Sequence, residues 1–199
     1  MAEPLWFLAK RSAAAAMICI TFTDIVGNFA TIQGNSMQPT LQQGHKDFIS
    51  LLKGDVVFYE KISAPAYKYC RGDVVVLRSP TDPDQLMVKR LIAMQGDWVN
   101  VPGSHEIHQI PKGRCWVEGD NGNLSLDSRN FGPIPLGLVK GRVTIKVWPP
   151  HRIGRVERVL PEGQVMFTDM HSCVITRSCL EYTFRLGERA SYYQGLAAS

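Results

Sequence analysis

The sequence contains no uncharged apolar run long enough to fill a bilayer. The longest, Ser12 to Thr23, is twelve residues, a helix of about 18 Å against a hydrocarbon core of about 30 Å. There is no C-x-x-C pair, and the cysteines number five, so neither a zinc site nor a disulfide framework is indicated. A pairing of Cys173 with Cys179 is left open. Lys and Arg are not clustered: the net charge of +4 and the pI near 8.8 come from cations placed singly or in pairs. This excludes the basic stripe of a nucleic-acid binder. No long segment with a 3.6-residue period follows residue 33, which argues against a helical body. The hydrophobic fraction is 45%, ample for a globular core and too high for wholesale disorder. His105 and His108 sit in a polar stretch flanked by Pro and Gly, which reads as a solvated loop, and no metal or cofactor is expected.

The apolar N-terminus extends backward through Leu5-Trp6-Phe7-Leu8, with Lys10 and Arg11 between. A helix over Leu5–Thr23 spans a membrane only if those two cations snorkel to the near interface. A cleavable secretory signal competes, because a Lys-Arg pair precedes a core of suitable length. No convincing small-x-small cleavage site lies between the run and Ser36, where residues 24–32 carry Asp24 and Asn28, so an uncleaved anchor is the expectation. Lys10 and Arg11 before the run and Asp24 after it place the N-terminus on the matrix or cytoplasmic side and the rest across the membrane.

The body reads as strands. Residues 47–52, 54–59, 72–77, 86–94, 96–101 and 139–148 are β-branched or aromatic runs separated by Gly, Pro, Asp and Asn. Three open on Gly-Asp, a turn dipeptide that delivers the chain into a strand. The predicted fold is mainly β, a sandwich or partly closed barrel, behind an N-terminal anchoring helix. The expected division is an anchor region at 1–32, a β-rich domain at 33–150, and a C-terminal extension at 151–199 with no period and no motif.

Three elements carry chemistry. Gly34 and Asn35 tolerate positive φ and Pro39 stiffens the exit, so the turn at 34–39 presents Ser36 outward, with Met37 as an apolar contact beside it. Alone this is an ordinary polar turn. Lys89 changes its meaning. It lies among Leu86, Met87, Val88, Leu91, Ile92 and Ala93, and in a strand it faces opposite to Arg90. An arginine cannot yield its proton, whereas a lysine can, and burial lowers its pKa. A neutral amine near a serine hydroxyl is a competent general base. The third element, Gly119 to Pro135, is dense in Asp, Asn, Ser, Gly and Pro, a compact self-bonded loop. Within it Ser125 can hold a lysine amine and Asp127 can pair with Arg129, although by itself the stretch also reads as a surface loop or a calcium-type turn.

In order, these elements resemble the type I signal peptidase family, and most closely its mitochondrial inner membrane branch of the subunit 2 type. The pieces are G-N-S-M-Q-P-T-L at 34–41, R-G-D-V-V-V-L-R-S-P at 71–80, V-K-R-L-I-A-M-Q-G-D at 88–97 and G-D-N-G-N-L-S-L-D-S-R-N-F-G-P-I-P at 119–135. The resemblance implies Ser36 as nucleophile, Lys89 as general base, Ser125 as the residue orienting the lysine, and Asp127–Arg129 as a supporting ion pair. Arg90 matches a structural arginine beside the base. It further implies an inner-membrane enzyme facing the intermembrane space, precursor proteins with sorting signals as substrates, cleavage after small residues, and a sister catalytic subunit. Bacterial members often place an oxyanion-donating Ser or Thr at the position of Gly34. Here the hole must rest on backbone N–H, most simply that of Ser36, or on another donor group. Bacterial or thylakoid signal peptidases share this chemistry, and a non-catalytic β subunit of a membrane peptidase complex is the alternative class.

Overall fold

A computed structural model describes residues 3–44, 54–101, 106–161 and 164–166. The expected strand at 47–52, the loop with His105, Cys173, Cys179 and the tail from 167 onward lie outside the described residues. Helix α1 (Glu3–Thr21) continues into a wider turn at Phe22–Val26. Strands follow at β1 (Gly27–Thr31), β2 (Val56–Glu60), β3 (Val74–Arg78), β4 (Leu86–Met94), β5 (Trp98–Asn100), β6 (Ile107–Gln109) and β7 (Arg114–Glu118). A one-turn helix α2 (Ser128–Phe131) precedes β8 (Ile134–Pro135), β9 (Val139–Trp148), β10 (Gly154–Arg155) and β11 (Val165–Met166).

The fold is mainly β. One sheet runs β1-β2-β9-β3-β4-β7-β8 with β10 beside β9, and it curls into a half-barrel; a second sheet has the order β11-β5-β6. Every pairing is antiparallel. Register shifts interrupt β2–β9, β3–β9 and β4–β7, and such bulges bend strands and sharpen the twist that curls a sheet.

The alternation of β4 sorts its residues. Met87 and Leu91 pack in the core of Val75, Leu77, Val117 and Ile134, and Lys89 stands between them opposite Val75. Val88 turns to the other face, against Ile32, Met37, Val57, Val74 and Val76. A third cluster of Ile92, Ala93, Val99, Ile110 and Trp116 joins the small sheet to the large one. Fully burying each such aliphatic or aromatic side chain contributes about 1.5–3 kcal/mol.

Several expectations shift. Residues 27–31, assigned by sequence to the anchor region, form a strand paired with β2. His108 lies in β6 and stacks on Trp116 with ring centroids 5.5 Å apart, so it belongs to a strand and not to a loop. Residues 151–166 contribute two short strands to the sheets. Helix α1 has 19 residues and forms as expected, with Trp6, Phe7, Met17, Ile18 and Ile20 exposed. Yet no helix among the described residues is long and apolar enough to cross a membrane. The reason is in the sequence: Glu3, Lys10 and Arg11 occupy the first half of the helix.

Candidate active site

The turn carrying Ser36 is built by its backbone. Gly34 holds φ +96°, a left-handed conformation that suits glycine, and Gln38-Pro39 is cis. The Asn35 side chain accepts from Gln38 Nε2 at 2.9 Å, and Leu41 N donates to the Met37 carbonyl at 2.8 Å. Met37, expected to touch substrate, is 1% exposed and packs in the core with Leu41 and Val57, which leaves it no surface to offer. It anchors the turn from beneath. Ser36 itself is half-buried.

Lys89 is 2% exposed. Its Nζ donates to Ser125 Oγ at 2.9 Å. Burial lowers its pKa from the ordinary lysine value; the Asp127 charge works against this and the Arg129 charge with it. The amine therefore meets a neutral hydroxyl, and no carboxylate among the described residues holds its proton by direct contact.

The loop after β7 brings Ser125 to that amine. Asp127 is fully buried and caps α2, completing a capping box with Asn130. Its carboxylate accepts from Gly119 N at 2.9 Å and from Arg129 Nε and Nη2 at 2.9 and 2.6 Å. Burial pushes its pKa up, but the hydrogen bonds from Arg129 and Gly119 outweigh it, and the carboxyl ends below its ordinary range. Ser128 Oγ accepts from Val117 N at 3.0 Å and fastens the loop to β7.

Two chains meet at Gly119. A Cβ on this residue would overlap both Ser125 Oγ and the Ser36 carbonyl oxygen. Asn121 N donates to that same carbonyl at 2.9 Å. Ser36, Lys89 and Ser125 are thus gathered at one place, although no hydrogen bond among the described residues links Ser36 Oγ to Lys89 Nζ. Catalytic hydrogen bonds are commonly long without substrate.

Arg90 points the other way. Its guanidinium grips Asp120 at 2.8 and 2.7 Å, donates to the carbonyls of Gly72 and Glu157 at 2.8 and 3.0 Å, and reaches Thr40 Oγ1 at 3.4 Å. Sequence reasoning missed Asp120, Gly119 and Thr40 as partners in the site. The Gly-Asp pattern held a signal for Asp120, since it is the fourth such dipeptide. Cys115 offers no rival nucleophile, because burial pushes its thiol pKa up to about 12.

A model of the family described as signal peptidase, peptidase S26, matches residues 5–107 and 102–148. The chain belongs to the S26 signal peptidase family. Mitochondrial inner membrane protease subunit 2 of Mus musculus is 40% identical over 153 residues, 76% of this chain and 85% of that one. The Danio rerio subunit 2 is 36% identical over 148 residues, covering 74% and 78%. Subunit 1 of Mus musculus is 37% identical over 145 residues, covering 71% and 81%. A solved signal peptidase I from Enterococcus faecalis V583 aligns with 39% of this chain and 97% of its own at 23% identity and a TM-score of 0.34, too loose a likeness to match residues. This S26 member is a serine peptidase of the signal-peptidase type, located at the mitochondrial inner membrane.

Proposed function

We propose that Ser36 is the nucleophile and Lys89 the general base of a peptidase that removes sorting signals from membrane-inserted precursors. The observation that carries this reading is a lysine 2% exposed whose amine, among the described residues, hydrogen-bonds a serine hydroxyl and no carboxylate, beside the turn that bears Ser36. A dry amine is neutral over more of the pH range than a free one. It takes the Ser36 proton as Oγ attacks the scissile carbonyl, and gives it to the departing amine. Water then hydrolyses the acyl-enzyme with the same amine as base. Ser125 orients Nζ, and Asp127 with Arg129 holds the loop that carries Ser125. Gly34 carries no side-chain donor, and the Ser36 N–H makes no hydrogen bond among the described residues, so it is the donor offered to the oxyanion.

The finer parts of the reading rest on the resemblance and on helix α1. Cleavage falls after a small residue, and the β domain that begins at β1 faces the intermembrane space. Helix α1 anchors it to the membrane, and a sister subunit with its own catalytic centre completes the complex. Ser36→Ala and Lys89→Ala should each lower precursor processing by about 10⁴-fold or more, as the loss of a nucleophile or base does in other serine peptidases. Normal processing by both variants in membranes would end the assignment.

A further inference from the structure

The family match ends at residue 148, yet the chain after it is tied to the buried charges around β4. Val156 N donates to the Thr144 carbonyl at 3.1 Å after β10 has paired with β9. The Glu157 carbonyl accepts from Arg90 Nη1 at 3.0 Å, and Arg158 Nε donates to Asp73 Oδ1. The backbone of Val159 lies so close to Gly72 that a Cβ there would stand 3.1 Å from its carbonyl oxygen. Further on, Gln164 Nε2 donates to Glu118 Oε1 at 2.6 Å, the Gln164 carbonyl accepts from Asn100 N at 2.9 Å, and β11 pairs with β5.

Three buried charges are therefore met by this segment: Asp73 at 3% exposure, Arg90 at 3% and Glu118 at 6%. Arg90 and Glu118 are direct cross-strand partners. Both lead into the site. The Gly72 and Glu157 carbonyls fix one edge of the Arg90 guanidinium, and its other edge then meets Asp120 in the Ser125 loop and Thr40 in the Ser36 turn. Glu118 adjoins Gly119, the residue wedged between Ser36 and Ser125. A planar guanidinium held on both edges transmits orientation, because its donors form one rigid fork.

We propose that residues 154–161 and 164–166 are a strap that sets the Ser36 turn against the Lys89–Ser125 pair through Arg90 and Glu118. Arg158 and Gln164 are its positioning residues. The proposal rests on the catalytic roles given above and adds a requirement they do not contain. A nucleophile and base misplaced by about 1 Å can lose on the order of a hundredfold in rate, so loosening the strap lowers kcat without touching substrate.

The test uses the full chain and an internally quenched peptide with alanine on the acyl side of the scissile bond. Arg158→Ala and Gln164→Ala should each lower kcat about tenfold to a hundredfold with KM within about twofold. Gln164→Glu keeps the shape and places a second carboxylate against Glu118, whose other charged neighbours are Asp127 and Arg129 and whose carboxylate also accepts from Trp116. Two facing carboxylates share a proton at low pH and repel when both ionise. Activity of Gln164→Glu should therefore fall as pH rises, where the wild type gains. Ser36→Ala is run alongside. If it cleaves normally, the catalytic reading fails. If it is dead while the strap variants keep wild-type kcat and pH profile, the strap proposal alone fails. A loss that follows only a lowered Tm, with KM rising in step, also overturns positioning.

Discussion

Lys89 and Arg90 are adjacent cations in one strand, both at most 3% exposed, and they are treated in opposite ways. Arg90 is given a bidentate carboxylate and two carbonyls. Lys89 is given one neutral hydroxyl. Buried charge is costly unless paired, so the arginine keeps its charge and becomes a structural tie. The lysine, deprived of a contacting anion, is driven toward the neutral amine that proton abstraction requires. A difference of one residue along the strand decides which cation is clamped by a carboxylate and which is left with a hydroxyl, as the proposed base requires, because successive side chains leave a strand on opposite faces.

The largest break in that comparison comes from the clamp side. Arg90→Ala leaves Asp120 without its partner, and removing one member of a buried pair costs about 3 kcal/mol or more. Chemical denaturation should show a lower midpoint at unchanged slope. Arg90→Lys should recover only part of this, since an ammonium cannot serve the two edges at once.

A smaller break comes at the meeting point. Gly119→Ala introduces a methyl that overlaps the Ser36 carbonyl and Ser125 Oγ. The two chains must separate, and kcat should fall about a hundredfold while the protein stays folded, as read by peptide cleavage beside circular dichroism. Retained activity would show that the two loops need not meet so closely.

The base side gives the smallest effect and the sharpest one. Ser125→Ala removes the hydrogen bond that aims Nζ and should cost about tenfold in kcat, less than the roughly 10²–10⁴-fold that a general base contributes as a whole. In the wild type, kcat/KM should rise with pH along a limb whose midpoint lies below the ordinary lysine value of 10.5, because burial lowers the Lys89 pKa. The stability sign follows from linkage. The unfolded lysine binds its proton more tightly than the folded one, so stability rises with pH between the lowered folded pKa and the unfolded value. Lys89→Met should remove that slope. An ascending limb at or above 10.5 would mean that the amine is not dry.

Much of this was legible from residue order. Strands β2, β3, β4 and β9 follow from β-branched runs with turn residues at their ends, and β4 begins and ends at the residues its pattern marks. Strand β1 was hidden because its sequence continues the apolar N-terminal run, and β6 because a three-residue strand gives almost no period to detect. The Gly-Asp dipeptides read as turn chemistry. Their aspartates prove to be buried or nearly so, each facing an arginine: Asp55 with Arg152, Asp73 with Arg142 and Arg158, Asp97 with Arg71, Asp120 with Arg90. Local sequence shows the turn and cannot show a partner about a hundred residues away.

By itself the sequence determined the kinds of group present: a serine in a glycine-proline turn, a lysine in a greasy strand, and a loop rich in its own hydrogen-bonders. Those are properties of neighbours along the chain, set by backbone sterics and side-chain alternation. Only the tertiary structure decided that Met37 is core, that Gly119 is the point where two loops touch, and that residues past 150 brace Arg90. Each of these depends on which distant backbone fills the remaining space, and close packing is a property of the folded whole.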